Sequence, residues 1–435
     1  MTIRALILAA GLGTRLRPLT DRLAKCLVPI GPRPLLEYWL IGLGDAGVRT
    51  ASVNTHAHHE QVAAYLQDVN DRRGMLVHES YEPELLGSAG TVTANRDLAD
   101  DADCVIIIYA DNLSQVDLRA MCEYHASHDQ PMTMLLFHAS NPKACGIAEM
   151  NDAGRIIDFV EKPDEPKSDL ANAGVYIMDA DAYREAADLG AFDLGFEVLP
   201  RFIGRMNGFV IDGYHRDIGT LEAYGQAQRD AAGLYESWNW SSDGRRPAVF
   251  LDRDGTIIQN VHYLSDPAGV QVMDGVAEAI CDLRRAGYCP VVVTNQAAIA
   301  KGVIDEVRHH EINETMCRQL AERGAVLDAL YFCAVKGEGA DRLTVEHEHR
   351  KPGPGMLKQA ANELSLDMAR SWMVGDMASD VMAGQNAGVY GSILLESGMI
   401  WREDEYRIKD SCITAVNLRE AANVILAQQP ALTKD

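Results

Sequence analysis

The amino-acid sequence predicts an α/β protein made of two three-layer domains. Short apolar stretches typical of buried strands alternate with amphipathic helical stretches along all 435 residues, which indicates largely parallel sheets covered by helices. A chain of this length has room for two or three domains, each with its own core. A segment rich in Gly, Ser, Asp and Pro interrupts the alternation just past the middle of the chain.

The first domain is predicted at residues 1–232 and is expected to end in a helix over "AYGQAQRDAA". Its main strands are expected at four apolar runs, residues 3–10, 105–110, 133–139 and 174–179. The interrupting segment, "GLYESWNWSSDGRRP" at 233–247, is interpreted as a linker whose aromatic side chains pack against a domain.

The second domain is predicted at residues 248–435. Its strands are expected at residues 248–252, 289–295, 329–334 and 371–376. Helical sequence lies next to each of these runs, so the second domain is also expected to be a sheet between helices.

Composition limits the partners of the protein. The formal net charge of −23 argues against nucleic-acid binding, which needs a basic surface, and no apolar run is long enough to span a membrane. Nine scattered cysteines indicate reduced thiols, and the glycine-rich N-terminal segment lacks the pattern of a signal peptide. We therefore expect a cytoplasmic protein, and the sequence leaves homo-oligomerisation open.

A glycine-rich segment, "LAAGLGTRLRPLT" at 8–20, follows the first predicted strand. Gly11 and Gly13 would let backbone N–H groups approach a triphosphate, and Arg15 and Lys25 would add positive charge. A glycine-rich turn alone is weak evidence, since many are ordinary strand–helix turns. The spacing matches neither the dinucleotide-binding G-x-G-x-x-G pattern nor the P-loop.

With further motifs of the first half, this segment resembles the sugar-1-phosphate nucleotidyltransferases. The motifs are "EPELLGSAGT" (82–91), "YADN" (109–112), "CGIAE" (145–149), "VEKP" (160–163), "NAGVY" (172–176) and "RDIGT" (216–220). The resemblance covers roughly residues 1–230 and implies a Rossmann-like mixed sheet. In such enzymes an oxygen of the sugar phosphate attacks the α-phosphorus of a nucleoside triphosphate and releases pyrophosphate.

The resemblance implies roles for individual residues. It implies that Asp111 and Asp217 bind Mg²⁺, whose charge suits carboxylate oxygens. It also implies that Arg15 and Lys25 stabilise charge on the phosphates. The other implied contacts are Gly11 and Gly13 with the triphosphate, Lys162 with the sugar phosphate, and Gly146, Glu161 and Asn172 with the sugar. Taken alone, either aspartate would more simply be a turn or cap residue.

Glu82 and Gly87 are the candidates for contacting the base. Glu82 lies five positions before Gly87, where the family places its base-reading side chain. A carboxylate only accepts hydrogen bonds, and guanine presents two adjacent donors, whereas uracil and thymine present one donor between acceptors. We therefore predict that the nucleotide is GTP; the alternative is that Glu82 is an ordinary surface residue.

The second half opens with "FLDRDGT", in which Asp252 and Asp254 follow an apolar strand. One carboxylate can attack a phosphoryl group, if a cation offsets the repulsion, and the second can protonate the leaving oxygen and then activate water. Further polar residues follow in order: Thr294 and Asn295, Arg350 and Lys351, and Asp376 and Asp380. This set resembles the haloacid dehalogenase (HAD) superfamily over roughly residues 248–428.

The second resemblance implies that Asp252 is the nucleophile and Asp254 the general acid and base. The residues implied to bind substrate are Thr294, Asn295, Arg350 and Lys351, with Thr294 and Lys351 on the phosphoryl oxygens. Mg²⁺ would be bound by Asp252, Asp376 and the Asp254 carbonyl, with Asp380 in support. The short interval after "DGT" leaves no room for a mobile domain, so we expect a HAD-type parallel sheet without a large cap.

The strings "DRDGTI", "TNQAAIAKG" and "HRKPGPGML" look most like the D-glycero-D-manno-heptose 1,7-bisphosphate phosphatases, with histidinol-phosphate phosphatases as close relatives. Two departures are present. Ala297, Ala298 and Lys301 replace the usual Ser-Gly and Arg. The usual zinc loop is reduced to three ligand-type residues, Cys333, His347 and His349, with Glu338, Asp341 or Glu346 as candidates for a fourth ligand. A structural Zn²⁺ and a metal-free loop both remain open.

Together the resemblances imply a bifunctional enzyme of GDP-heptose biosynthesis, whose substrates are GTP and sugar phosphates and whose two sites each use Mg²⁺. The phosphatase would leave heptose 1-phosphate, which a sugar-1-phosphate guanylyltransferase consumes. One alternative is a mannose-1-phosphate guanylyltransferase fused to a histidinol-phosphate-type phosphatase. Another is a catalytically silent HAD-like scaffold, which would have no need of a cluster of like charges.

Overall fold

The computed structural model describes residues 1–72, 75–337, 343–396, 406–409 and 412–428. The chain divides into two compact units, of which the first comprises Met1–Asp71 and Met75–Leu234 and the second begins at Tyr235. A helix runs over Leu221–Ser237, and the first strand of the second unit starts at Arg246. The segment 233–247 therefore contains the end of that helix and the start of that strand.

Nine strands of the first unit form one sheet. The strands of this unit are β1 (Ile3–Leu8), β2 (Pro29–Ile30), β3 (Arg33–Pro34), β4 (Thr50–Thr55), β5 (Leu76–Tyr81), β6 (Cys104–Tyr109), β7 (Asn112–Ser114), β8 (Met132–His138), β9 (Gly146–Met150), β10 (Ile156–Glu161), β11 (Leu170–Asp179), β12 (Met206–Ile211) and β13 (His215–Asp217). Its helices are α1 (Leu35–Asp45), α2 (His59–Arg72), α3 (Gly87–Ala94), α4 (Leu118–Ala126), α5 (Ala180–Asp188) and α6 (Leu221–Ser237).

The large sheet is mixed, as predicted. Its order is β10–β9–β11–β6–β1–β4–β5, with β8 paired to β11 and β12 paired to β8. Strand β1 is parallel to β4 and β6, whereas β11 is antiparallel to β6 and β8. Successive side chains of a strand point to opposite faces, and Leu6 belongs to one buried apolar cluster while Ala5 and Ile7 belong to another. Both faces are therefore covered, which confirms the three-layer prediction.

The sheet topology brings the predicted nucleotide motifs together. Because β1 and β6 are parallel neighbours, their carboxyl ends lie at the same edge of the sheet. The glycine-rich segment follows β1, and Asp111 follows β6. Strands β7 and β13 then form a short antiparallel ladder in which Asn112 pairs with Asp217.

The described residues of the second unit form a six-stranded sheet in the order β16–β15–β14–β17–β18–β19, and every neighbouring pair is parallel. Its strands are β14 (Arg246–Leu251), β15 (Cys289–Asn295), β16 (Ala329–Cys333), β17 (Leu366–Gly375), β18 (Gly391–Leu395) and β19 (Ile413–Ala415). Its helices are α7 (Val276–Arg285), α8 (Ala297–Ala300), α9 (Glu306–Ala321), α10 (Gly355–Glu363), α11 (Ala378–Ala387), α12 (Tyr406–Lys409) and α13 (Leu418–Ala427).

The second unit confirms the prediction of a parallel sheet without a large cap. Val249 and Leu251 belong to one apolar cluster and Ala248 and Phe250 to another, so both faces of β14 are buried. Between the Asp-rich motif and α7, an interval in which every residue is described, the only helical element is one short 3₁₀ turn, Pro267–Gly269. Among the helices that the structure describes, none combines the length and apolar character needed to cross a membrane.

Candidate active sites

The first candidate site is a cavity of about 290 Å³ at the carboxyl ends of β1 and β6. Parallel sheets commonly bind ligands at this edge. The cavity is lined by Leu8, Ala9, Ala10, Gly11, Lys25, Cys26, Asn54, Glu82, Leu85, Gly87, Ser88, Thr91, Tyr109, Ala110, Asp111 and Phe192. Five of these had been predicted from the sequence: Gly11, Lys25, Glu82, Gly87 and Asp111.

The glycine-rich loop is tightly folded at Gly13 and open at Gly11. Gly13 has φ of +62°, and a Cβ atom there would lie 2.8 Å from the Thr20 side chain and 3.3 Å from Lys25 Cβ. The Thr20 hydroxyl donates to the Gly13 carbonyl at 2.7 Å. A side chain at Gly13 would therefore be strained and crowded. A Cβ at Gly11 would meet no atom within 4 Å, which leaves its backbone accessible to a ligand.

The two aspartates predicted to bind Mg²⁺ lie on adjacent chain segments. The Ile218 amide donates to the Asp111 carbonyl at 2.8 Å, and the Lys25 ammonium lies 2.6 Å from Asp111 Oδ2. Partial burial and the neighbouring Asp111 raise the pKa of Asp217, while Lys25 and Arg15 act to lower it. A cation between two carboxylates would relieve this repulsion, so the residues present fit Mg²⁺.

Arg15 lies beside the same aspartate. A Cβ atom on Gly219 would come within 2.9 Å of both Arg15 Nη2 and Asp217 Oδ1. The guanidinium and the carboxylate thus share the space that the missing side chain leaves. The structure therefore brings Arg15, Lys25, Asp111 and Asp217 together, as a site that neutralises phosphate charge requires.

Glu82 is 2% exposed, so it is not the surface residue of the alternative interpretation. Its Oε1 accepts from Asn54 Nδ2 at 2.9 Å and from the Thr91 hydroxyl at 2.5 Å, and its Oε2 accepts from the Leu86 amide at 3.2 Å. Asn54 Oδ1 also accepts from the amide of Ala9, at 2.5 Å. A network therefore joins Glu82 to the segment after β1. We had not predicted Asn54 or Thr91; Asn54 could have been found as a polar residue near the carboxyl end of a parallel strand.

Glu161 and Gly146, both predicted to bind the sugar, are in direct proximity. A Cβ atom on Gly146 would lie 2.4 Å from Glu161 Oε2, so the carboxylate occupies the space above the glycine. Burial raises the pKa of Glu161, and Asp193 adds to the effect while Lys162 opposes it. Asp193, which we had not predicted, is therefore part of the environment of this carboxylate.

Asn172, the third predicted sugar ligand, is bonded within its own strand. Its Nδ2 donates to the Tyr176 hydroxyl at 2.7 Å, and its Oδ1 accepts from the Gly174 amide at 3.0 Å. These bonds span the irregularity in the β11–β8 ladder. They orient the amide, and its role toward a sugar stays a prediction.

The second candidate site is centred on the buried side chain of Lys351. Its ammonium donates to Asp252 Oδ1 at 2.6 Å and to the Val293 carbonyl at 2.8 Å, and lies 2.7 Å from Asp380 Oδ1. Burial acts to lower the pKa of Lys351, but Asp252 and Asp380 outweigh it and raise that pKa above its usual value. The lysine is therefore held as a cation in the centre of an acidic site.

Asp252, Asp376 and Asp380 form the one cluster of three or more metal-type ligands among the described residues, with ligand atoms within 4.8 Å of one another. Both Asp376 oxygens are buried without a hydrogen-bond partner in the described structure. Burial, together with Asp252 and Asp380, raises the pKa of Asp376. Unpaired buried carboxylate oxygens are costly, so their presence fits a divalent cation such as Mg²⁺.

Two glycines are packed directly against this cluster. A Cβ atom on Gly255, whose φ is +87°, would lie 2.2 Å from Asp376 Oδ2. One on Gly375 would lie 2.2 Å from Asp380 Oδ2. The carboxylates can converge only because neither position carries a side chain.

The Asp254 side chain lies outside the three-carboxylate cluster and is held by other residues. It accepts from Arg253 Nε and Nη2, at 3.1 and 2.9 Å, and from Gln296 Nε2 at 3.0 Å. Gln296 Nε2 also donates to the hydroxyl of Thr294, at 3.0 Å. Arg253 and Gln296 were missed from the sequence, although both lie within the motifs that carried the resemblance.

Asn295 and Arg350 contact the loop that carries Lys351. Asn295 donates to the Lys351 carbonyl and accepts from its amide, both at 3.0 Å. Arg350 Nη1 donates to the Val335 carbonyl at 2.9 Å. In this structure Asn295 therefore fixes the backbone of Lys351, and both predicted substrate contacts stay predictions.

The zinc site that the sequence left open is not assembled by the described residues. Cys333, His347 and His349 do not form a cluster of ligand atoms in the part of the chain that the structure describes. Cys333 is buried, whereas His347 is exposed and its Nδ1 accepts from the His349 amide at 3.1 Å. Two of the candidates for a fourth ligand, Glu338 and Asp341, lie outside the described residues.

A model of the nucleotidyl transferase family matches residues 4–233, and a HAD-hydrolase-like model matches residues 348–421. Over 152 residues the chain is 43% identical to the D-glycero-beta-D-manno-heptose-1,7-bisphosphate 7-phosphatase of Rhodopseudomonas palustris, which covers 35% of this chain and 84% of that protein. The phosphatase of the same name from Pasteurella multocida is 40% identical over 159 residues, 37% of this chain and 86% of that protein.

Among solved structures, HddC from Yersinia pseudotuberculosis is 24% identical, with 52% of this chain and 99% of that chain covered and a TM-score of 0.45. The folds and the two acidic sites define a two-domain enzyme of nucleotidyl and phosphoryl transfer. The chain belongs to the nucleotidyl transferase family through its first half and to the family of these HAD-type phosphatases through its second. These matches confirm both resemblances, and the chain has both transferase and phosphatase activity.

Proposed function

We propose that the chain catalyses two consecutive reactions that produce GDP-D-glycero-D-manno-heptose. The second unit removes the 7-phosphate of D-glycero-D-manno-heptose 1,7-bisphosphate. The first unit transfers GMP from GTP to the resulting heptose 1-phosphate and releases pyrophosphate. The proposal is carried by the cluster of Asp252, Asp376 and Asp380 around Lys351, in a chain that is 43% identical over 152 residues to a phosphatase named for that bisphosphate.

In the proposed hydrolysis, an Asp252 oxygen forms a bond to phosphorus while the bond from phosphorus to the sugar oxygen breaks. Asp254 gives a proton to the departing sugar oxygen and then takes one from the water that attacks the phosphoaspartate, which releases phosphate and restores Asp252. Lys351 and Thr294 hold the phosphoryl oxygens. Bound Mg²⁺ would supply positive charge against the repulsion between carboxylates and phosphoryl group.

In the proposed transfer, an oxygen of the sugar 1-phosphate forms a bond to the α-phosphorus of GTP while the bond to the β-phosphate oxygen breaks. Arg15 and Lys25 stabilise the charge on the phosphates, and Asp111 and Asp217 would hold Mg²⁺. The protein contributes mainly position and charge neutralisation, since little proton transfer is needed.

GTP is proposed as the nucleotide because Glu82 lines the cavity and its carboxylate can only accept hydrogen bonds. Its Oε2 accepts one protein hydrogen bond, from the Leu86 amide, so it is the oxygen with more capacity for a donor on the base. Initial rates with GTP, ATP, UTP and dTTP test this directly. A preference for UTP or dTTP would defeat the proposal.

Heptose is proposed as the sugar because the phosphatase reaction would then produce the sugar 1-phosphate that the transferase reaction consumes. Removing a 7-phosphate leaves a sugar 1-phosphate, which is the second substrate of the transferase, whereas a histidinol-phosphate phosphatase has no such relation to its neighbour. The similar phosphatases are named for the β anomer of the bisphosphate. The rates of phosphate release from the β and α anomers should therefore be compared.

The decisive experiment is to incubate the full chain with GTP, Mg²⁺ and heptose 1,7-bisphosphate and to detect the nucleotide sugar by mass. Histidinol phosphate and mannose 1-phosphate serve as competing substrates. Faster phosphate release from histidinol phosphate, or nucleotide sugar formed only from mannose 1-phosphate, would contradict the proposal.

Both reactions are proposed to take place in the cytoplasm. The nine cysteines all lie within the described residues and are free thiols, as in a reducing compartment. GTP, the proposed nucleotide, is supplied there. Fractionation of cells that produce the chain tests this, and recovery of the protein outside the cytoplasmic fraction would contradict it.

A further inference from the structure

Phe192 is an exposed apolar side chain in the wall of the nucleotide cavity. Its residue is 62% exposed, yet it lines the cavity together with Glu82 and Leu85. An exposed phenyl ring forgoes the free energy that burial would provide. A ring in this position is therefore well placed to bury its face against a ligand.

The backbone of Phe192 is fixed on both sides. Its amide donates to Glu197 Oε1 at 3.1 Å, and its carbonyl accepts from the Ala89 amide, in helix α3, at 3.0 Å. The next residue, Asp193, donates its amide to the same Glu197 oxygen at 3.0 Å. The ring is thus presented from an ordered backbone, which lowers the entropy cost of using it in binding.

The ring of Phe192 lies against Gly87. A Cβ atom on Gly87 would come within 2.3 Å of the Phe192 carbonyl oxygen and within 2.8 and 2.9 Å of the ring atoms Cδ2 and Cδ1. Gly87 also has φ of +76°, which favours glycine. Gly87 therefore allows the ring to lie over the first turn of α3.

The Phe192 ring lies beside the residues proposed to contact the nucleotide base, and not among those proposed to contact the sugar. The cavity lining includes Glu82 and Gly87 but not Glu161, Lys162 or Asn172, all of which the structure describes. We propose that the Phe192 ring stacks on the nucleotide base. The ring would increase the affinity for the nucleotide without discriminating between bases. This inference rests on the proposed nucleotidyl transfer. The apolar contact would form with any base, because every base has a π-face.

The test compares Phe192→Ala with Phe196→Ala. Phe196 is 61% exposed and lies four residues away, but it is not part of the cavity lining, so it is a matched control. In Phe192→Ala we expect the KM for GTP to rise about tenfold, the scale of one base–aromatic stack, with kcat within about twofold of the wild type. Phe192→Tyr should retain the wild-type KM, because it keeps the ring.

Three further measurements separate stacking from other effects. The affinity for pyrophosphate, which has no base, and the KM for heptose 1-phosphate should not change in Phe192→Ala. The phosphatase rate of the same chain reports that the variant is folded. A larger rise in the KM for heptose 1-phosphate than in that for GTP, or equal effects of Phe192→Ala and Phe196→Ala, would overturn the inference.

Failure of the proposed GTP preference remains distinguishable from failure of this inference. If UTP or dTTP is the better substrate, the assays are repeated with that nucleotide. A tenfold rise in its KM in Phe192→Ala, as expected for about one base stack, would support the stack while the GTP assignment falls. An unchanged KM for the preferred nucleotide would overturn the stack.

Discussion

Arg253 binds both carboxylate oxygens of its chain neighbour Asp254, with Nε donating to Oδ2 at 3.1 Å and Nη2 donating to Oδ1 at 3.2 Å and to Oδ2 at 2.9 Å. The Arg253 side chain is itself buried, and its Nη1 donates to Asn313 Oδ1 at 2.9 Å. The two-point contact therefore fixes the plane of the Asp254 carboxylate as well as its position. Orientation matters for a residue proposed to transfer protons, because proton transfer requires a hydrogen-bonding geometry.

We predict that Arg253→Lys lowers the kcat of the phosphatase by about ten- to hundredfold, because lysine keeps the charge but cannot form the paired contact. Steady-state kinetics with heptose 1,7-bisphosphate measures the effect. The KM should change little, since Arg253 is not proposed to contact substrate. A wild-type kcat in a folded variant would show that the orientation of Asp254 does not depend on this contact.

The two activities should be separable by single substitutions. Asp252→Asn removes the proposed nucleophile, so we expect phosphate release to fall by about three orders of magnitude or more while nucleotidyl transfer is unchanged. Asp111→Asn should have the reciprocal effect. Each variant is the control for the other. Assays of phosphate release and of nucleotide-sugar formation on the same preparation measure the two activities. Loss of both activities in either folded variant would contradict the assignment of the two sites.

Asp376→Asn should stabilise the second unit in the absence of metal. The substitution removes one of three clustered buried carboxylates, and we expect the free energy of unfolding in EDTA at neutral pH to rise by about 1–3 kcal/mol. Mg²⁺ should raise the melting temperature of the second unit in the wild type and have little effect on that unit in the variant. An equal Mg²⁺ response in both proteins would place the ion elsewhere.

The stabilising effect of Asp376→Asn should depend on pH. Burial and the neighbouring carboxylates raise the pKa of Asp376 in the folded protein. An acid with a raised folded pKa destabilises the fold increasingly as pH rises from its unfolded pKa, about 3.9, toward the folded pKa. In EDTA, the difference in unfolding free energy between variant and wild type should therefore grow between about pH 4 and pH 8. A constant difference would contradict the raised pKa.

Much of both folds could be predicted from the sequence because buried strands have a strong local signal. The four residues before Asp252, at 248–251, are all apolar, as expected of a parallel strand covered on both faces, and they lie in β14. The proximity of Asp252 and Asp376 then follows from topology, because β14 and β17 are parallel neighbours and each aspartate follows its strand.

Contacts that depend on side-chain packing could not be predicted in the same way. The engagement of Glu82 by Asn54 and Thr91 joins residues that are 28 and 9 positions away in the chain, and no local pattern specifies it. Likewise, Cys333 and His347 have side chains of the kinds that bind zinc. The residue types alone do not determine whether these side chains lie close enough together to share a metal ion. The helix Leu221–Ser237 extends into a segment whose Ser, Asp and Gly residues had predicted a linker.

The ammonium of Lys351 is engaged with two aspartates and a backbone carbonyl, so all three of its N–H bonds already have acceptors. An arriving phosphoryl dianion can bind this ammonium only by exchange with one of them. Exchange at Asp252 would free Asp252 Oδ1 when the phosphoryl group arrives. Under the proposed mechanism, the contact with Lys351 would hold Asp252 Oδ1 until a substrate phosphoryl group displaces it.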